Sequence, residues 1–241
     1  MHVPDGFIDA PVSIAAGVVA AGGIAVCLRG ARQELDDRTA PMAGLVAAFV
    51  FSAQMINFPV AAGTSGHLLG GALAAILVGP YTGALCVAVV LLVQGLLFAD
   101  GGLTAIGVNI LTMSLVTVLV GWVVFRLLTR MLPLTKASVT GSAFVAALVS
   151  VPVAALAFVG LYAIGGTSDV SIAKVATAMV GVHVLIGIGE AFITGLTVGA
   201  VFAVRPDLVR GVSDRLPKVE LRSRTTAAPA EATTAPAEVE A

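Results

Sequence analysis

The chain opens MHVPDG and contains three histidines, His2, His67 and His183. A free α-amine followed directly by a histidine is a chelator. The Met1 amine, the residue-2 amide nitrogen once a metal has displaced its proton, and His2 Nδ1 close fused five- and six-membered rings whose donors are nearly coplanar. A fourth nitrogen completes a square plane, a geometry that suits Ni(II) or Cu(II) and disfavours Zn(II), which takes a tetrahedron. His67 is the candidate for that position. It lies in the segment AAGTSGHLLGGALA, where Gly63, Gly66, Gly70 and Gly71 let another stretch of backbone come close. Taken singly, His2 also reads as a solvated terminal histidine and His67 as a packed helix-end histidine.

The elements that must position these groups are membrane helices. Of 241 residues, 58% are hydrophobic and 11% are charged, and the mean hydropathy is +1.04. A soluble domain needs roughly a quarter of its residues charged, so a lipid-facing surface is required and a polytopic all-α bundle is expected. Spans of about 20 residues parse as 10–28, 41–57, 68–78, 82–98, 103–127, 139–164 and 172–204. The third is too short to cross untilted and reads as partly re-entrant together with the Gly63 to His67 loop.

Basic residues test this parse. Arg29, Arg32 and Arg38 follow the first span, Arg126, Arg130 and Lys136 the fifth, and Arg205, Arg210, Arg215, Lys218, Arg222 and Arg224 the seventh. Lys174 is the exception. The positive-inside rule then puts the amino terminus outside, the carboxyl terminus in the cytoplasm, and His2 and His67 on one face. Ionisable groups within apolar runs are costly and mark functional positions, so Met1, His2 and His67 together are expected to hold a metal without carboxylates. No basic n-region or small-residue cleavage site precedes the first span, so no removable signal is expected. Met1 is expected to stay, because aminopeptidases remove Met before small residues and His2 is large.

Residues 1–205 are therefore expected to form the membrane-embedded domain and 206–241 a charged, low-complexity cytoplasmic tail (TTAAPAEATTAPAEVEA) without a core. His183 and Glu190 stand seven residues apart near one face of the seventh helix; they read as a proton relay, as a group tuning the site, or as a polar pair that fixes packing. Asp100, in FADGGLT, reads as a cation attractor or a turn residue, Asp5 as a turn residue and Asp9 as a cap. Cys27 and Cys86 lack ligand spacing and read as filler. Small residues at four-residue spacing in AAGVVAAGG (Ala16, Gly17, Ala20, Ala21) permit close helix packing, internal or against a second membrane protein. No GxxxxGK[ST] motif is present, so ATP hydrolysis in the P-loop manner is excluded, and no nucleic-acid partner is expected.

MHVPDGF, NFPVAAGTSGHLLGGALAAILVGP from Asn57 to Pro80, LLFADGGLTAIGVNI from Leu96 to Ile110 and VHVLIGIGEAFITG from Val182 to Gly195 resemble the CbiM/NikM family, the substrate-capturing membrane subunits of energy-coupling-factor transporters for cobalt and nickel. The resemblance covers about residues 1 to 205. It implies a seven-helix bundle whose amino-terminal segment tucks into the outer side. The metal is then held in a square plane by the Met1 amine, the His2 amide and imidazole, and the His67 imidazole. It also implies partners: a transmembrane coupling subunit, two ATPase subunits and, where one is present, a small accessory membrane subunit as a separate chain. GTSGHL resembles the nickel members more than the cobalt ones.

The function expected is the substrate-specific, non-enzymatic subunit of an ATP-driven importer in the cell membrane. Its transported ion is Ni(II), favoured, or Co(II), and no resident cofactor is expected. Two other classes compete. One is a stand-alone proton-coupled secondary transporter relying on His183 and Glu190. The other is a membrane metalloenzyme, disfavoured because a four-nitrogen plane leaves no equatorial place for water or substrate.

Overall fold

The computed structural model describes residues 1–37, 39–56, 58–59 and 65–216. Arg38, Gly63 and residues 217–241, with the low-complexity segment expected to be disordered, lie outside the described residues. Among the described residues, seven helices form an all-α bundle: α1 Ala10–Glu34, α2 Thr39–Gln54, α3 Gly71–Val78, α4 Pro80–Leu97, α5 Ile106–Met131, α6 Lys136–Gly165 and α7 Ile172–Val204. A two-residue antiparallel ribbon, β1 Phe58–Pro59 with β2 Ser65–Gly66, pairs Phe58 with Gly66 just before His67. Five of the helices are long and apolar enough to cross a membrane, and exposed side chains such as Ile14, Val18, Leu119, Leu185 and Leu196 leave the outer surface apolar. This is a multi-pass membrane protein.

Local chemistry sets the helix ends. Asp9 caps α1 as expected, its carboxylate accepting the Val12 N–H at 2.9 Å, with Pro11 in the first turn. The helix runs on to Glu34, past the expected end at Leu28, because Arg29 and Arg32 are good helix formers although they end the apolar run. Glu34 itself is buried, and its carboxylate accepts the Thr82 N–H at 2.7 Å. It thereby satisfies an otherwise orphan donor in the first turn of α4.

The third element keeps its expected end at Val78 but starts at Gly71 rather than Leu68. α3 has eight residues, all buried; at 1.5 Å per residue it covers about 12 Å, well short of the ~30 Å bilayer core. It is the centre of the bundle, with α4, α5 and α6 packed around it. Left-handed Gly70, at φ 76°, and Gly79, at φ 99°, bound it. α5 starts at Ile106 rather than Leu103, and its turns over Ile110–Val116 are wide, of π type, with Asn109 immediately before them. Such widenings favour functional positions.

The two ends of the bundle differ. At one, the amino-terminal segment meets the loops around Gly102 and Thr167. At the other, the chain beyond α7 does not leave the bundle at Pro206. Two 3-10 turns, Pro206–Leu208 and Arg210–Arg215, bring Val209 and Val212 into the core. Arg126 fastens them through a bidentate pair with Asp214 at 2.6 and 2.7 Å, and Arg215 donates to the Thr129 carbonyl.

Candidate metal site

Residues 1–8 enter the bundle as an extended strap held by its own backbone. The Val3 N–H donates to Asn109 Oδ1 at 2.9 Å, and the Val3 carbonyl accepts the Gly102 N–H at 2.8 Å and the Asn109 side-chain amide at 3.5 Å. Asp5, expected only as a turn residue, also accepts the backbone N–H and hydroxyl of Thr104 at 2.7 and 2.6 Å. Further along, the Phe7 carbonyl accepts the Thr167 N–H at 3.2 Å, and the Asp9 N–H donates to the Gly165 carbonyl at 2.7 Å. Phe7 completes the anchor, with ring centroids 5.4 Å from Tyr162 and 6.1 Å from Phe158.

The strap buries its own terminus. Met1 is 0% exposed and His2 3%. The His2 ring lies 4.6 Å, centroid to centroid, from the ring of His67, which is 1% exposed. The fold thus brings together the three residues expected at the site, two of them separated by 65 positions of sequence. The carbonyl of Leu68 can only accept, so His67 Nδ1, 2.7 Å away, carries the proton and His67 Nε2 is left basic, buried and without a hydrogen bond. His2 Nε2 is likewise unbonded, with Asp100 Oδ2 at 3.6 Å. Gly101, at φ 94°, lies against the other edge of the ring, where a Cβ would stand 2.9 Å from Nδ1.

Burial also sets protonation. It lowers the Met1 amine to about 4, against the opposing pull of the Asp100 carboxylate, and it lowers His2 to about 3, with the neighbouring amine adding to the effect. His67 is held well below its ordinary value by burial first, then by the amine, His2 and His183. At neutral pH the nitrogens are therefore free bases, as metal ligation requires. The amine binds its proton near pH 8 when undocked and only near 4 when docked, so protons favour release of the strap between those values. Docking of the metal-free strap is therefore expected to strengthen as pH rises from about 4 to about 8. Aminopeptidase trimming of metal-free protein, corrected for the enzyme's own pH profile, checks this: it should slow across that range.

Side chains alone do not build a metal centre: among the described residues, no group of three or more His, Cys, Asp or Glu could hold an ion. His183 is fully buried in α7, its Nδ1 donating to the Met179 carbonyl at 2.7 Å and its Nε2 unbonded. Glu190 is engaged elsewhere, its carboxylate accepting the Leu69 and Gly70 N–H groups at 2.7 and 3.0 Å. Sequence reasoning missed Asn109, which bonds both backbone groups of Val3. Its signal was a lone amide side chain in the apolar run IGVNIL, since a buried amide needs partners.

Comparison with known proteins agrees with this architecture. The family model described as CbiM, cobalt uptake substrate-specific transmembrane region, matches residues 2–208. A protein of Archaeoglobus fulgidus named as a fused nickel transport protein, NikMN, is 40% identical over 210 residues, 87% of this chain and 68% of that one. The cobalt transport protein CbiM of Sorangium cellulosum is 34% identical over 204 residues, 82% of this chain and 87% of that one. A crystal structure of a transition metal transporter superposes with a TM-score of 0.77 at 28% identity, covering 85% of this chain and 93% of that chain. All three are named as metal transport proteins or a metal transporter. With its helical core, its buried terminus and a family match over nearly the whole bundle, the chain belongs to the CbiM family, the substrate-specific transmembrane region of cobalt and nickel transport.

Proposed function

We propose that this chain captures Ni(II), or Co(II) as the alternative ion, as the substrate-binding subunit of an ATP-driven energy-coupling-factor importer. The ligands are the Met1 amine, the His2 amide nitrogen and Nδ1, and His67 Nε2. The observation that carries the reading is the 4.6 Å approach of the His2 and His67 rings beside a fully buried Met1. Supporting it, His67 Nδ1 is occupied by a carbonyl, so Nε2 is the ring nitrogen left to bind an ion. Asp100 stands on the Nε2 side of His2, the side that must keep its proton when Nδ1 binds metal. Four nitrogens in a plane suit low-spin nickel, which is why nickel is favoured.

The strap end is the outer end in this reading. Arg126, Arg210 and Arg215 lie around the opposite end, which is then cytoplasmic under the positive-inside rule. Without a nucleotide-binding motif the chain depends on partners, a transmembrane coupling subunit and two ATPases, to release the ion inward. The test has two arms. Purified protein with a free Met1 amine should bind one nickel ion and give the yellow, diamagnetic complex of a square plane; a green, paramagnetic complex would refute the geometry. Cellular uptake should need the ATPase subunits, and uptake that persists without them but collapses with the proton gradient would replace the importer reading with a secondary transporter.

A further inference from the structure

We propose that Glu190 and Gln54 are positioning residues that fix the tautomer and direction of the His67 imidazole through two peptide planes; this rests on the reading of His67 as a ligand. The Leu68–Leu69 peptide is held at both ends. Its carbonyl accepts His67 Nδ1–H at 2.7 Å and its N–H donates to Glu190 Oε2 at 2.7 Å. The next peptide is held in the same way. The Leu69 carbonyl accepts Gln54 Nε2 at 2.7 Å and the Gly70 N–H donates to Glu190 Oε1 at 3.0 Å. C=O and N–H of a trans peptide point in opposite directions, so the pull of the carboxylate on the N–H aims the carbonyl at the imidazole.

The chain of bonds from carboxylate through peptide to Nδ1–H does two things. It keeps the proton on Nδ1, leaving Nε2 as the only donor atom. It also passes negative charge toward the ring, because hydrogen bonds in series polarise one another, and that raises the basicity of Nε2. Glu190, Gln54 and Leu69 are all within 2% of full burial, so water does not substitute for a lost partner. α7 and α2 thereby hold one ligand of the site together, through the backbone of residues 68–70. This accounts for Glu190 without a proton relay to His183, since both of its oxygens are engaged by backbone.

Glu190→Gln keeps the shape but places an amide NH2 against a peptide N–H, and Gln54→Met keeps the length but removes the donor. Nickel affinity of Glu190→Gln is expected to fall at least about tenfold, as for the loss of other outer partners of metal-binding histidines. The visible band of the complex should shift, and Gln54→Met should move both readouts in the same direction by less. In a His67→Ala background, Glu190→Gln should leave the residual affinity unchanged, because its action passes through the missing ring. A packing role alone would lower the thermal midpoint with affinity and band unmoved, or would weaken binding equally in both backgrounds; either result overturns the proposal. Should Glu190→Gln fail to fold, Gln54→Met decides by the same measurements. Wild-type affinity in His67→Ala itself would overturn the ligand reading and the clamp with it.

Discussion

Blocking the Met1 amine by acetylation, or extending the chain ahead of it by a tag of several residues, is expected to suppress nickel binding, and His2→Ala is expected to do the same, while a carboxyl-terminal extension is expected to leave affinity unchanged. Two losses add in the extended chain. The Met1 amine becomes a peptide nitrogen that has to surrender a proton before it can bind metal. The added residues also have no room, since Met1 is 0% exposed and His2 and His67 are in ring contact beside it. His2→Ala removes Nδ1 and with it the six-membered chelate ring. Each change is expected to weaken binding by a thousandfold or more, about 4 kcal/mol at roughly 1.4 kcal/mol per decade. Isothermal titration with nickel of protein released from a cleavable tag, compared with the uncleaved form, measures it. Unchanged affinity in the uncleaved form would refute ligation by the terminal amine. The helices pack mainly on one another, so the extended protein should still fold although Met1 and Val3 sit in the core, and its helix content by circular dichroism separates lost binding from lost structure.

Hydropathy made the bundle legible and its edges less so. All seven helices overlap the spans expected from apolar runs, because a run of apolar residues is what a bilayer requires. The ends moved wherever helix and apolar run differ in length. Arg29 and Arg32 end the run but continue α1 to Glu34, and Pro206 ends α7 without freeing the chain, because Val209 and Val212 are apolar enough to fold back. Residues 68–78 read as a short, partly re-entrant span, whereas α3 is a strut whose eight residues are all buried. Periodicity could not separate those cases, since a helix apolar on all sides is equally suited to lipid and to core.

At the site, types of residue were legible and contacts were not. A histidine after the terminal amine and another among glycines named a chelate. That Asn109 would hold Val3, and that Glu190 would hold the peptide after Leu68, depends on meetings across 106 and 121 positions. Glu190 was legible only as a neighbour of His183 on one helix face, a spacing that carried no information about the loop it grips.

Gly102→Ala is expected to cripple the site from outside it. The Gly102 N–H donates to the Val3 carbonyl at 2.8 Å, so the loop backbone lies directly beneath the strap. A methyl there would stand 2.7 Å from the Pro4 carbonyl carbon and 2.6 Å from Asp5 Oδ1, and closer still to the Asp5 nitrogen. Two of those neighbours are backbone, which no rotamer change removes, so the strap must lift. Overpacking of this kind costs about 1–3 kcal/mol. The cost falls on the docked strap rather than on the helices, and a metal that binds only the docked form loses affinity by the fraction no longer docked. Nickel binding should therefore weaken, by at most roughly 150-fold, with the Val3 amide exchanging hydrogen faster and the thermal midpoint of the metal-free bundle little changed. Gly181→Ala is the control, because a methyl at that position in α7 meets nothing within 4 Å. An added methyl also favours helix by about 1 kcal/mol over glycine, so affinity should hold and the midpoint should rise slightly. Equal affinities for the two variants would mean that the strap does not bind metal in the position in which the fold holds it.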